Sequence, residues 1–161
     1  MMHEFTRWLA ATSLSEHIQD IFWVIPTVQI VHIVSIAVVM TSMAMLDLRL
    51  VGIAGRRQSL TDMAHRFLPW VWTAVVVLLC SGSILIIGEP ARDLLNKMFW
   101  LKMSLLAAAL VLTWTFQHML HRNSLFWDRN RAAAIVLGVV SLAMWVGIIG
   151  AGRWIAYVEH G

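Results

Sequence analysis

Charge is scarce in this chain. Only 13% of its 161 residues are Asp, Glu, Lys or Arg, against about 25% in an ordinary soluble domain. That deficit excludes a surface built to face water all round. Cysteine is scarcer: Cys80 is the only one. An intramolecular disulfide, a CxxC redox pair and a CxxCH haem attachment are therefore excluded. No glycine-rich phosphate loop and no HExxH zinc motif occur. Internal repeats and low-complexity runs are absent too. With only three prolines, long helices can run with few interruptions.

What the chain has instead is apolar length. Hydrophobic residues make up 60% of it. Four segments, 21–46, 68–88, 98–120 and 132–152, are long and nearly free of charge. Each is about long enough to cross a ~30 Å hydrocarbon core at ~1.5 Å per residue. Inside lipid the backbone must satisfy its own hydrogen bonds, so these segments are helices. The expected fold is all-α: one transmembrane domain over 1–161, an integral membrane four-helix bundle. Residues 4–20 place Phe5, Trp8, Leu9, Leu14 and Ile18 among polar neighbours. They read as a short amphipathic helix at the membrane surface, with Thr12, Ser13 and Ser15 as cap candidates that would split it in two. Pro26 and Pro69 are candidate kinks. Ser59 with Asp62 has the form of a helix cap, so a helix is expected to begin near residue 60 and run on through Pro69.

The net charge of +3 is not a nucleic-acid signature, because the basic residues cluster at helix ends. Arg49, Arg56, Arg57 and Arg66 flank the first connection, and Arg122, Arg129 and Arg131 the third. The opposite side carries Arg7, Arg92, Lys97, Lys102 and Arg153, offset by Glu16, Asp20, Glu89, Asp93 and Glu159. Lys and Arg in short loops set orientation. A bacterial inner-membrane protein with both tails periplasmic is the expectation. The first residues lack a basic start followed by an apolar run, so no cleavable signal peptide is expected. Trp154 and Tyr157 are interface anchors.

Seven histidines carry the candidate chemistry. His3, His17 and His160 lie at the tail side, and His65, His118 and His121 at the arginine side. His32 lies within the membrane, in "TVQIVHIVSIAVV". An ionisable residue there is costly and faces a bundle interior, a cavity or a cofactor; a buried histidine bonded to a neighbouring helix is the plain alternative. Histidine is a standard axial ligand of haem, and four-helix bundles supply such ligands from facing helices. Two ligands of one haem sit at similar depths. His65 and His118 match in depth, with His121 one turn further along as the substitute. His32 has no histidine at its level. It either pairs with Met144, binds a five-coordinate haem alone, or is not a ligand.

Lys102 in "FWLKM" is the other intramembrane charge. It either snorkels to the headgroups or neutralises a haem propionate. Asp47 and Arg49 read as a boundary ion pair. Trp72, Trp114 and Trp145 are deep enough to pack on a macrocycle or to fill core. The glycines and serines of the second and fourth helices suit close helix packing. Ten methionines allow a copper-handling reading, although methionine is also ordinary core filler.

Several features come in a recognisable order: a histidine in helix 1, a "DLRLVG" end, "RFLPW", "FWLKM" and "GRWIAYV". From residue 20 onward the chain resembles an uncharacterised family of small bacterial four-helix integral-membrane proteins. It is more distantly similar to the membrane domain of copper-resistance D proteins and to the four-helix, haem-b protoporphyrinogen oxidase. The second likeness implies haem b held through His32, and both carry over His32 and Lys102. The oxidase has a histidine nearer the middle of helix 3, whereas His118 is close to its end, and its activity is not carried over.

The sequence therefore points to an inner-membrane b-type haem protein with one haem or two. It would be an oxidoreductase or electron-transfer subunit working between haem and a quinol or periplasmic partner. His32, His65 and His118 are the metal-ligand candidates, with His121, Met144, Lys102 and Trp114 around the cofactor. The alternative is a non-catalytic small subunit of a homo-oligomer or larger membrane complex.

Overall fold

The computed structural model describes residues 2–158, apart from 56 and 124. Arg56, Glu159 and His160 lie outside the described residues, as does the side chain of Tyr157. The described residues are helical with short connections and no strand. In chain order they form α1 (Met2–Ala10), α2 (Ser13–Asp20), α3 (Val24–Val51), α4 (Leu60–Gly88), α5 (Pro90–Leu94), α6 (Lys97–Arg122), α7 (Phe126–Arg129) and α8 (Arg131–Val158). The helices α3, α4, α6 and α8 are long and apolar enough to cross a membrane.

The local signals explain most of the boundaries. Thr12 caps α2, its hydroxyl accepting from the Ser15 N–H, and so divides the N-terminal segment into two helices. Ser59 caps α4 by accepting from the Asp62 N–H at 3.0 Å. The helix then runs through Pro69 without a break. Asn96 caps α6 through the Met98 N–H. The helix α3 continues five residues beyond the expected 46. Leu46, Asp47 and Leu50 are all buried, so tertiary contact holds the extra turn. It stops at Gly52, whose left-handed φ of 84° is cheap only for glycine.

The closest backbone packing joins α3 to α4, α3 to α8, and α6 to α8. Gly138 lets α8 approach α3: a Cβ there would lie 2.9 Å from the Asp47 carbonyl oxygen and 3.1 Å from the Leu50 Cβ. The core runs along these contacts through Val39, Met43, Leu46, Val71, Ala109, Phe116 and Trp145. By contrast, α4 and α6 meet chiefly through long side chains, leaving a looser seam.

The amphipathic N-terminus does more than cover a surface. Ser15 is fully buried and donates to the Ile87 carbonyl at 2.7 Å. Gln19 donates to the Gly88 carbonyl at 2.8 Å. These are carbonyls of the last turn of α4, which have no donor within their own helix. Phe5, Trp8 and Leu14 remain exposed, an apolar face that suits the membrane interface.

Candidate functional site

His32 lies about eight residues into α3, or ~12 Å along its axis. Its Nδ1 is 2.8 Å from the Ser81 hydroxyl of α4. Ser81 is buried, and its oxygen is also 2.7 Å from the Val77 carbonyl, one turn back on α4. A hydroxyl has one proton to give. With that proton on the Val77 carbonyl, the oxygen accepts Nδ1–H from His32. The imidazole is then held as the tautomer whose lone pair is on Nε2. Beside the ring, Gly82 would bring a Cβ 3.5 Å from the His32 Cε1.

Lys102, on α6, is close enough to His32 for the two to interact electrostatically. Its ammonium end runs past Gly152 of α8, where a Cβ would sit 3.8 Å from Nζ. Asp93 of α5 is within electrostatic reach of the same lysine. His32 of α3, Ser81 of α4 and Lys102 of α6 are thus polar side chains toward the tail-side half of the bundle, with Gly152 of α8 beside the lysine. Met144 is partly buried against the apolar core.

The histidines of the arginine end are arranged differently from the depth match. The ring beside His65 is that of His121, with centroids 5.7 Å apart. His118 stacks on Trp114 of its own helix, 5.6 Å away and 13° from parallel. Trp114 is exposed, so that pair faces outward. Between α4 and α6, His65, Leu68, Pro69, Trp72, Gln117 and His121 line a cavity of about 150 Å³. The Trp72 indole N–H donates to the Gln117 side-chain oxygen at 2.8 Å, fixing both.

A further polar group is buried outright. Asp47 is 1% exposed. The Ser141 hydroxyl of α8 bears on it, while its Oδ2 has no hydrogen-bond partner among the described residues. It borders a cavity of about 10 Å³ shared with Thr113 and Phe116, the scale of one water molecule. Arg49 does not pair with it; the Arg49 Nε donates to the Gln58 carbonyl at 3.0 Å. Residues two apart on a helix face different ways, which separates the expected ion pair. The cation that matters at this end is Arg131, which donates to the Leu50 and Val51 carbonyls at 3.0 and 2.7 Å. It closes the C-terminus of α3 across Gly52, where any Cβ would collide with its guanidinium.

His32 and Lys102 are visible in the sequence as polar residues within apolar spans, but Ser81, the group that bonds His32, is not marked out as its partner. In the sequence Ser81 reads only as a small packing residue, and nothing there marks Gln117 as the partner of Trp72 at the arginine end. A polar residue on a second helix at the level of an intramembrane histidine or tryptophan is the signal for such partners. Among the described residues no three His, Cys, Asp or Glu side chains form a metal-ion cluster.

Four apolar helices of spanning length, two of them joined by the His32–Ser81 pair, define an all-α multi-pass membrane protein in contact with the lipid bilayer. The chain belongs to a family described as a family of unknown function (DUF6644), whose model matches residues 5–158. No curated protein and no solved structure matches it.

Proposed function

We propose that this chain is a b-type haem protein of the electron-transfer kind, with His32 as the iron ligand. The reading also places it in a bacterial inner membrane, with both tails on the periplasmic side. The observation that carries it is the bond between the His32 Nδ1 and Ser81. A metal-ligating histidine characteristically donates its other ring N–H to a fixed acceptor, which sets the tautomer and the ring orientation. Ser81, anchored on the Val77 carbonyl, is such an acceptor.

The donor set suits one axial position and one carboxylate. The His32 Nε2 offers the lone pair. Lys102 offers a cation for a propionate, inside a region where few other charges are available. Gly82 and Gly152 keep side-chain bulk away from both groups. A haem bound there would supply one-electron redox chemistry, and the apolar surroundings and ligand identity would set its potential. Meanwhile Ser81 holds the imidazole in place, and the packed core around Val39 and Met43 keeps water out.

The test is an optical spectrum of the purified protein. A Soret band that shifts on dithionite reduction, lost in His32→Ala and kept in His118→Ala, is the expected result. Protein that stays colourless with haem supplied during expression overturns the reading.

A further inference from the structure

We infer that the crevice between α4 and α6, at the end carrying the arginine loops, takes the single-ring headgroup of a membrane quinone. Size is the first argument. The cavity is about 150 Å³, a volume that in another protein's core accepts one benzene ring. The space between its walls therefore matches one six-membered ring. Its walls are the second. Leu68, Pro69 and Trp72 give apolar and aromatic faces, while His65, Gln117 and His121 place polar groups on the same space.

The polar groups are available for a ligand. The two imidazoles touch each other as rings and make no hydrogen bond among the described residues. Each neutral imidazole has one N–H and one lone pair. A quinone carbonyl can accept the former, and a quinol hydroxyl can donate to the latter. Gln117 uses its oxygen on Trp72, which leaves its NH₂ as a donor. Pro69 has no N–H to give to the His65 carbonyl four residues earlier, so an acceptor is also weakly committed at the rim.

Location is the third argument. The helices α4 and α6 approach each other less closely than α3 approaches α4 or α8, and Trp70 and Met119, next to the crevice, are exposed apolar residues of a kind that lipid covers. A ligand reaching it comes through lipid, and carries two polar ends on one apolar ring. A quinone with its tail left in the bilayer has that chemistry. The inference supplies an electron partner for the haem reading and rests on it only for the direction of electron flow; binding itself needs no haem.

The experiment is calorimetric titration of the purified full chain with a short-tailed benzoquinone. One saturable site is expected, weakened at least tenfold by His65→Leu and by His121→Leu. Met119→Ala, on the same helix but outside the cavity, should bind as the wild type. A short-tailed naphthoquinone, with two fused rings, should bind more weakly. Helical circular dichroism and a monodisperse elution profile confirm that each variant is folded. The site is overturned by absence of saturable binding, or by histidine variants that bind like the wild type. It is equally overturned if anionic phospholipid displaces the quinone from wild type and variants alike, since the arginines of the rim would then be the binding groups. Haem with no quinone binding removes this site alone; quinone binding by a colourless protein removes the haem reading alone.

Discussion

Two side chains of α3 show how burial changes the meaning of a polar residue. His32 has a partner that orients it. Ser81→Ala should keep the ring in the bundle but release its orientation. A cofactor held by His32 should then bind about 10- to 100-fold more weakly, measured by haem transfer to an apo-acceptor. His32→Ala should lose it altogether. Asp47 is under-partnered: the Ser141 hydroxyl bears on it, and among the described residues nothing meets Oδ2. Ser141→Ala would remove the hydroxyl that bears on this carboxyl. Removing one partner of a buried polar group costs about 1–3 kcal/mol, so the variant should unfold at a lower SDS fraction in a mixed-micelle titration. Asp47 was visible in the sequence as a charge, but its partner was not, because it comes from a helix some 90 residues away in the chain.

Helix ends and helix contacts divide in the same way. The caps at Thr12, Ser59 and Asn96 depend on side chains within three residues of the backbone they serve. Local sequence is enough to find two of them. The end of α3 is different, because its last carbonyls are met by Arg131, about 80 residues further on. Gly52→Ala tests that end. A left-handed φ costs a non-glycine residue about 1–2 kcal/mol, and the new Cβ would also displace the guanidinium. Arg131→Gln should show part of the same loss, since only the hydrogen bonds and charge go. Gly138→Leu tests the α3–α8 contact. Its Cβ would press on the Asp47 carbonyl at 2.9 Å and the Val51 Cγ2 at 3.0 Å. Overpacking of this kind costs about 1–3 kcal/mol, readable in the same unfolding titration.

At the scale of the molecule, the exposed apolar surface is the main fact. In α3 only 11% of the most apolar stretch is buried inside the bundle, and Ile30, Ile33 and Val34 point outward. Lipid covers such a face at no cost, whereas water would not. The proposed orientation makes a direct prediction. In a Cys80→Ser background, Arg57→Cys and Arg92→Cys should label from opposite sides of the membrane. A membrane-impermeant maleimide applied to intact spheroplasts should reach position 92 and spare position 57. Labelling of 57 alone would reverse the orientation, and labelling of both would contradict a four-span topology.

The sequence by itself determined the four spans and the all-α class, because apolar length and backbone hydrogen bonding in lipid are local requirements. It also put His32 inside the first span, since a count of residues along a helix converts to distance; its partner Ser81, on α4, came only from the packing of the two helices. Depth is one coordinate of three. The rotation of each helix about its axis, and which helix stands beside which, come from side-chain packing between distant segments. That is why only the tertiary structure decided that His65 meets His121, that His118 turns out onto Trp114, and that Asp47 answers to Ser141 rather than to Arg49.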